Sequence, residues 1–227
     1  AAEAILASGD LAQARTVLED LAALGAADPD LAAWADAYRA QWLDLTDPSR
    51  LDEVERLADH ATERFVESGD GSGQAKAHLV RASVLARRGR LADSEVELDR
   101  AMGAAREAKD RRRLVAALGA APAVALWGPS PVARAGGRCL DVIRLLRITT
   151  QSPVVEATSL RHQAVLEALR GRFGPARTLL TDVRSTVEEL GLRRDLMEVE
   201  LFEGIVDLLD GNPASAEGNL RTAHARL

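Results

Sequence analysis

Four histidines, a single cysteine, a glycine-serine run and a few carboxylate pairs are the residues here whose types could do chemistry. His60, His78, His162 and His224 include no pair at the i, i+4 spacing that holds zinc on one helical face, so each reads as a surface or boundary residue. Cys139 is the sole cysteine, which excludes an internal disulfide, points to a reducing compartment and fits a small core residue before a reactive thiol. The run SGDGSG at 68–73 lacks the Gly-Lys-Ser/Thr ending of a phosphate loop and no strand leads into it, so it reads as a turn with Ser72 capping the next helix. Gly71-Ser72-Gly73 also lacks the frame of a nucleophile elbow. Glu188-Glu189 and the pair Asp28 and Asp30 fall at helix ends and turns, where water solvates them. No catalytic constellation assembles, and the sequence predicts no enzyme, no metal and no cofactor.

The elements that must position any site are helices. Apolar residues make up 47% of the chain and aromatics only 3%, with alanine, leucine and arginine dominant. That mix favours helix and suffices for a core, and no window alternates with the two-residue period of a strand. The stretch LEALRGRFGPARTLL at 166–180 holds a whole helical hairpin corner. Gly171 suits the left-handed residue that closes a helix, Pro175 the first turn of the next, and Ala176 with Leu180 its apolar stripe.

Glycine, an apolar residue two later, a small one five later and an apolar one nine later recur from Gly9, Gly89, Gly171 and, with Pro213 at the second place, Gly211. Weaker copies start at Ser49 and Ser130, so the step is 40 or 41 residues throughout. A fixed period of this size marks stacked repeats that bury their apolar faces on one another. The expected fold is all-α, a right-handed α-solenoid of about six antiparallel helical hairpins forming one domain over 1–227. The chain starts and stops inside helical patterns, at 1–8 and 222–227, and therefore reads as a fragment of a longer protein. No signal peptide and no bilayer-length apolar run is present, which points to the cytoplasm.

Several local expectations follow from residue types. Gly25 should close a helix that Asp10 caps, Asp28-Pro29 should open the next, and Pro122 should kink or break the helix over 111–127. Trp34, Tyr38 and Trp42 share one helical face and read as core, with a peptide-binding wall as the alternative. Seven residues before the repeat starts stand Ala2, Ala82, Ala123, Ala164 and Gly204, small enough for close helix approach. Trp42 is the exception, and implies a splayed or repacked second hairpin. A net charge of −6 leaves no basic excess for nucleic acid. The arginine clusters Arg87, Arg88, Arg90, then Arg111 to Arg113, then Arg193 and Arg194 sit at helix ends and should face water.

In helix-pair arrays the first helix of each pair lines the inner face, which holds peptides. The helical period puts Arg39, Leu43, Lys76, Leu79, Ser83, Arg87, Val124, Trp127, Arg161, Val165, Leu169, Leu201 and Ile205 there. The early repeats then offer a partly cationic wall and the later ones an apolar wall. Many of the apolar positions equally suit inter-repeat core.

The Gly-x-aromatic-x-x-Ala series, best seen in RGRFGPARTLL and RGRLADSEVEL, resembles tetratricopeptide repeats, although their usual step is 34 residues. LWGPSPVARAGGRCLDVIRLL and LEALRGRFGPARTLLTDVRSTVEELGL are similar to the repeat region of large bacterial, chiefly actinobacterial, signalling ATPases fused to a class III nucleotide cyclase or a LuxR-type DNA-binding domain. The resemblance implies a non-catalytic interaction or scaffold module, the regulatory or sensor arm of a signal-transduction or transcription-regulating protein. Its partner would be a protein, a peptide or another domain of the parent chain, with no direct nucleic acid or membrane contact. Two alternatives stand beside it: a small-molecule sensor with an apolar pocket near Trp127, Val165 and Ile205, and a segment that self-associates into a homo-oligomer.

Overall fold

The computed structural model describes residues 2–8, 10–149 and 152–226. Gly9 and Leu227 lie outside them. The protein is all-α, 86% helical, and holds no strand among the described residues. Twelve helices follow in order: α1 (Ala2–Ser8), α2 (Leu11–Gly25), α3 (Pro29–Thr46), α4 (Leu51–Ser68), α5 (Gly71–Arg87), α6 (Leu91–Glu107), α7 (Arg111–Trp127), α8 (Val132–Thr149), α9 (Pro153–Ala168), α10 (Phe173–Glu189), α11 (Arg193–Leu209) and α12 (Pro213–His224). One 3-10 turn, Pro48–Arg50, joins α3 to α4. No helix among the described residues is long and apolar enough to cross a membrane.

The corners follow from backbone stereochemistry. Gly89, Gly171 and Gly211 have φ of 73°, 74° and 75°, the left-handed geometry that glycine reaches without a Cβ clash. Gly69 and Gly191 do the same at the alternate corners, and Lys109 adopts φ 56° there with a full side chain. Gly25 is the last residue of the helix that Asp10 caps, as expected, but it is not a left-handed corner. Its helix ends on Ala26 in right-handed geometry, and Gly25 instead lets α2 meet α3, since a Cβ would stand 2.8 Å from the Ala32 backbone.

The chain divides into two compact units, Ala1–Ala117 and Leu118–Leu227. In the first, α3 and α4 meet through completely buried small residues, Ala33, Ala37 and Ala40 against Val54, Ala58 and Ala61. Trp42 therefore does not splay this hairpin. Its ring packs at the edge of the core, as Leu51 and Leu57 do, and its Nε1 donates to the Leu11 carbonyl at 3.1 Å. Phe65, Ala77 and Val80 extend the core to α5, and Ser94 of α6 donates to the Ala82 carbonyl at 2.8 Å.

In the second unit Ala164, Val165, Leu166, Ala176, Leu180, Phe202 and Val206 join α9, α10 and α11, with Cys139 and Ala135 from α8. Gly204 lets α11 sit against α12, where a Cβ would meet Leu220 at 2.9 Å. α7 runs unbroken through Pro122, so the expected break does not occur. Within the first unit, α3 and α5 run in the same direction. Trp34 pairs with Asp70, Lys76 with Gln41 and Ser83 with Asp44, near-constant offsets along α3 and α5. That parallel offset aligns the face on which a site can form.

Candidate functional site

Within the first unit, α3, α5 and the start of α7 enclose a groove of about 290 Å³ lined by Gln41, Asp44, Leu45, Lys76, Leu79, Val80, Ser83, Arg112, Arg113 and Ala116, with Glu3 of α1 at its side. The α5 residues Lys76, Val80, Ser83 and Arg87 follow at steps of four, three and four, which keeps them on one face. α7 begins after the Lys109 turn, where Asp110 Oδ1 accepts from the Arg113 backbone N–H at 3.0 Å.

Lys76 is 5% exposed. Its Nζ bonds Gln41 Oε1 and lies 4.8 Å from the centre of the Tyr38 ring. Burial, then the Arg113 and Arg112 charges, push the amine down to about 8, against the opposing pull of Glu3. Burial and the neighbouring Glu3 carboxylate push the Tyr38 hydroxyl up to about 12. That hydroxyl donates to Glu3 Oε2 at 3.1 Å, and the same oxygen lies 3.3 Å from Arg113 Nη2 and 3.5 Å from Arg112 Nη1.

Arg113 is not the solvated cation expected from its cluster. Its guanidinium stands 4.8 Å over the Trp34 ring and pairs with Asp110, because α7 starts against the aromatic face of α3. Burial opposes the Asp110 charge, but hydrogen bonds from Arg113 and Ser72 hold its carboxyl below the usual range. Ser72 is thus a bridge to Asp110 at 2.8 Å, and Asp70 is the cap of α5, accepting from Gly73 N at 2.9 Å. The other Asp70 oxygen accepts from Trp34 Nε1 at 3.0 Å. The aromatic stripe is accordingly half core and half polar frame, each ring spending its polar atom on a neighbouring element.

The opposite end of the groove is acidic. Asp44 is 6% exposed, takes the Ser83 hydroxyl at 2.7 Å on Oδ2 and has Arg87 Nε 2.7 Å from Oδ1, although Oδ1 accepts no hydrogen bond. Apolar Leu45, Leu79, Val80 and Ala116 lie among the charged positions. Such a surface can seat an acidic side chain at Arg112 and its neighbours with apolar groups alongside, and Arg112, its side chain 62% exposed, is the cation open to solvent.

Of the inner-face residues expected from sequence, the structure gathers Lys76, Leu79 and Ser83 in this groove, with Arg87 attached through Asp44. Leu43 is in the core with Val54 and Val84, outside this groove. Arg39 faces another groove, of about 260 Å³, shared with Arg15, Glu19, Trp42 and Arg50, and pairs with Glu53 at 3.2 Å. In the second unit, Val165 is core and Ile205 packs against that core cluster, while Trp127, Leu169 and Leu201 are exposed.

Arg161 is buried rather than free. It pairs with Glu198, lies 3.7 Å from Asp195 and covers the Phe202 ring at 5.2 Å. His162, expected at a boundary, is buried edge-on to Phe202 with Nδ1 2.7 Å from the Thr158 carbonyl, and burial pushes it down to about 4. The residues missed from sequence are Glu3, Tyr38, Gln41, Asp44, Arg112 and Arg113. The tyrosine in the stripe and the arginine cluster were their visible signals.

No protein-family model matches this chain, and no curated protein matches it. Among solved structures it is similar to BtubC (BKLC) from P. vanneervenii, with a TM-score of 0.70 and 16% identity over 95% of this chain and 89% of that one. At that identity the likeness concerns the all-helical fold.

Proposed function

We propose that this chain is a non-catalytic interaction module, a tetratricopeptide-like right-handed solenoid of helical hairpins that serves as the regulatory or sensor arm of a larger cytoplasmic bacterial signalling protein. Its partner is an acidic segment of a protein that lies in the groove of the first unit. The observation that carries this reading is the meeting of Lys76, Leu79 and Ser83 with Arg112 and Arg113 in one groove, where cations flank apolar side chains. Support for the solenoid comes from the left-handed corner residues 69 and 109, then 171 and 211, each pair 40 positions apart, and from the parallel offset of α3 on α5.

The test is an array of nine-residue peptides, acidic, neutral and basic, each carrying leucine, probed with the 227-residue chain and its Arg112→Glu variant. Selective retention of acidic peptides by the parent, lost in the variant, is the expected result. Identical profiles for the two proteins would remove the groove from consideration.

A further inference from the structure

Lysine is nearly absent from this chain. Of its 29 lysines and arginines, only Lys76 and Lys109 are lysine. Cations buried elsewhere are arginines with carboxylate partners: Arg113 has Asp110 and Glu3, and Arg161 has Glu198. Lys76 is buried as deeply and forms no ion pair among the described residues. Its Nζ rests on the neutral Gln41 amide and the face of the Tyr38 ring. A guanidinium keeps its charge at any pH a folded protein meets, whereas a desolvated lysine gives up its proton and becomes a nucleophile. Position 76 therefore holds the one buried cation of this groove that can turn into a reactive amine.

The surroundings favour that uncharged form. Arg112 and Arg113 face Glu3 and Asp110, and Arg87 faces Asp44, so the charges around the groove balance once Lys76 is neutral. Burial and the two α7 arginines push the amine down to about 8, against the pull of Glu3. At pH 7.5 about a quarter of it is then unprotonated, against about one part in a thousand for an ordinary lysine near 10.5. Leu45, Leu79, Val80 and Ala116 share the groove with the amine and give it an apolar flank. A volume of about 290 Å³ lies just below the roughly 300–1,000 Å³ of drug-sized sites, which suits a molecule of a few carbons.

We propose that Lys76 captures a small uncharged aldehyde in this groove, the short carbon chain lying on Leu79, Val80 and Ala116. The neutral amine attacks the carbonyl carbon, and a carbon-nitrogen double bond replaces the carbon-oxygen one. The oxygen leaves as water with both amine hydrogens. The product is an imine, nothing is oxidised or reduced, and water reverses the step. The acidic-segment reading uses the charged Lys76 and this one its uncharged form, so neither depends on the other.

Butanal with sodium cyanoborohydride tests the proposal on the 227-residue chain, because hydride addition to the imine carbon makes the link permanent. Peptide mass spectrometry at pH 7.5 then locates the added butyl group. Lys76 should be labelled about tenfold faster than the exposed Lys109, the larger free fraction being partly offset by burial, and its rate should saturate with butanal concentration. Ala116→Trp, at an exposed position on the groove wall, should slow labelling of Lys76 several-fold and leave Lys109 unchanged.

Labelling of Lys109 as fast as Lys76 would overturn the proposal. So would a Lys76 rate that rises linearly with butanal or is untouched by Ala116→Trp, because the amine would then react without a seat for the aldehyde.

Discussion

Replacing Lys76 by methionine keeps the length of the buried stem and removes the charge, so it isolates what that charge does to stability. The folded chain holds the amine near 8 where an unfolded chain holds it near 10.5. Between those values the unfolded state binds the extra proton, so stability rises with pH there and is lost as pH falls through the folded value. At about 1.36 kcal/mol per unit, the charged amine costs about 3 kcal/mol at pH 7 and under about 1 kcal/mol at pH 10. Lys76→Met escapes that cost at every pH. Its stability advantage over the parent should therefore shrink by about 2.5 kcal/mol between pH 7 and pH 10. Tyr38, pushed up to about 12, turns the trend downward above pH 10, but does so in both proteins and cancels. Urea unfolding followed by circular dichroism at half-unit pH steps measures the difference. An advantage that stays constant, or widens with pH, would refute the description of Lys76 as a buried charge.

Two further outcomes are expected. Lys109→Gly should stabilise the chain by about 1 kcal/mol, because φ 56° strains a residue with a Cβ, and a lower urea midpoint would contradict this. His162, held near 4 by burial, leaves the unfolded chain with the extra proton between about 4 and 6.5, so stability should fall with acid; against His162→Leu the parent should lose about 2 kcal/mol from pH 7 to pH 4.5, and parallel pH curves would contradict it.

The helical corners at 89, 171 and 211 are legible in sequence because the backbone there demands a residue without a Cβ, and glycine supplies it. The corner at 109 is hidden for the same reason, since lysine accepts the strain and leaves no mark. Lys76, Leu79 and Ser83 can be read as one face from helical spacing alone. Their companions cannot. Glu3 reaches Arg113 across 110 positions, a contact set by how helices stack rather than by anything local. Arg39 and Leu43 mark the size of the register error, for the groove is served by Gln41, Asp44 and Leu45 on the same helix. Arg113 and His162 were misplaced because a charged or polar residue was assigned to water, whereas Trp34 and Phe202 offer ring faces that take it in.

Cys139 is wholly buried in α8, and burial pushes its thiol up to about 11. At neutral pH such a sulfur is neither ionised nor reachable, so maleimide dyes and spin labels will pass it by. An exposed position such as Leu24 can then be changed to cysteine and tagged in the otherwise native chain. Spectroscopists can work on this protein without first removing its own thiol.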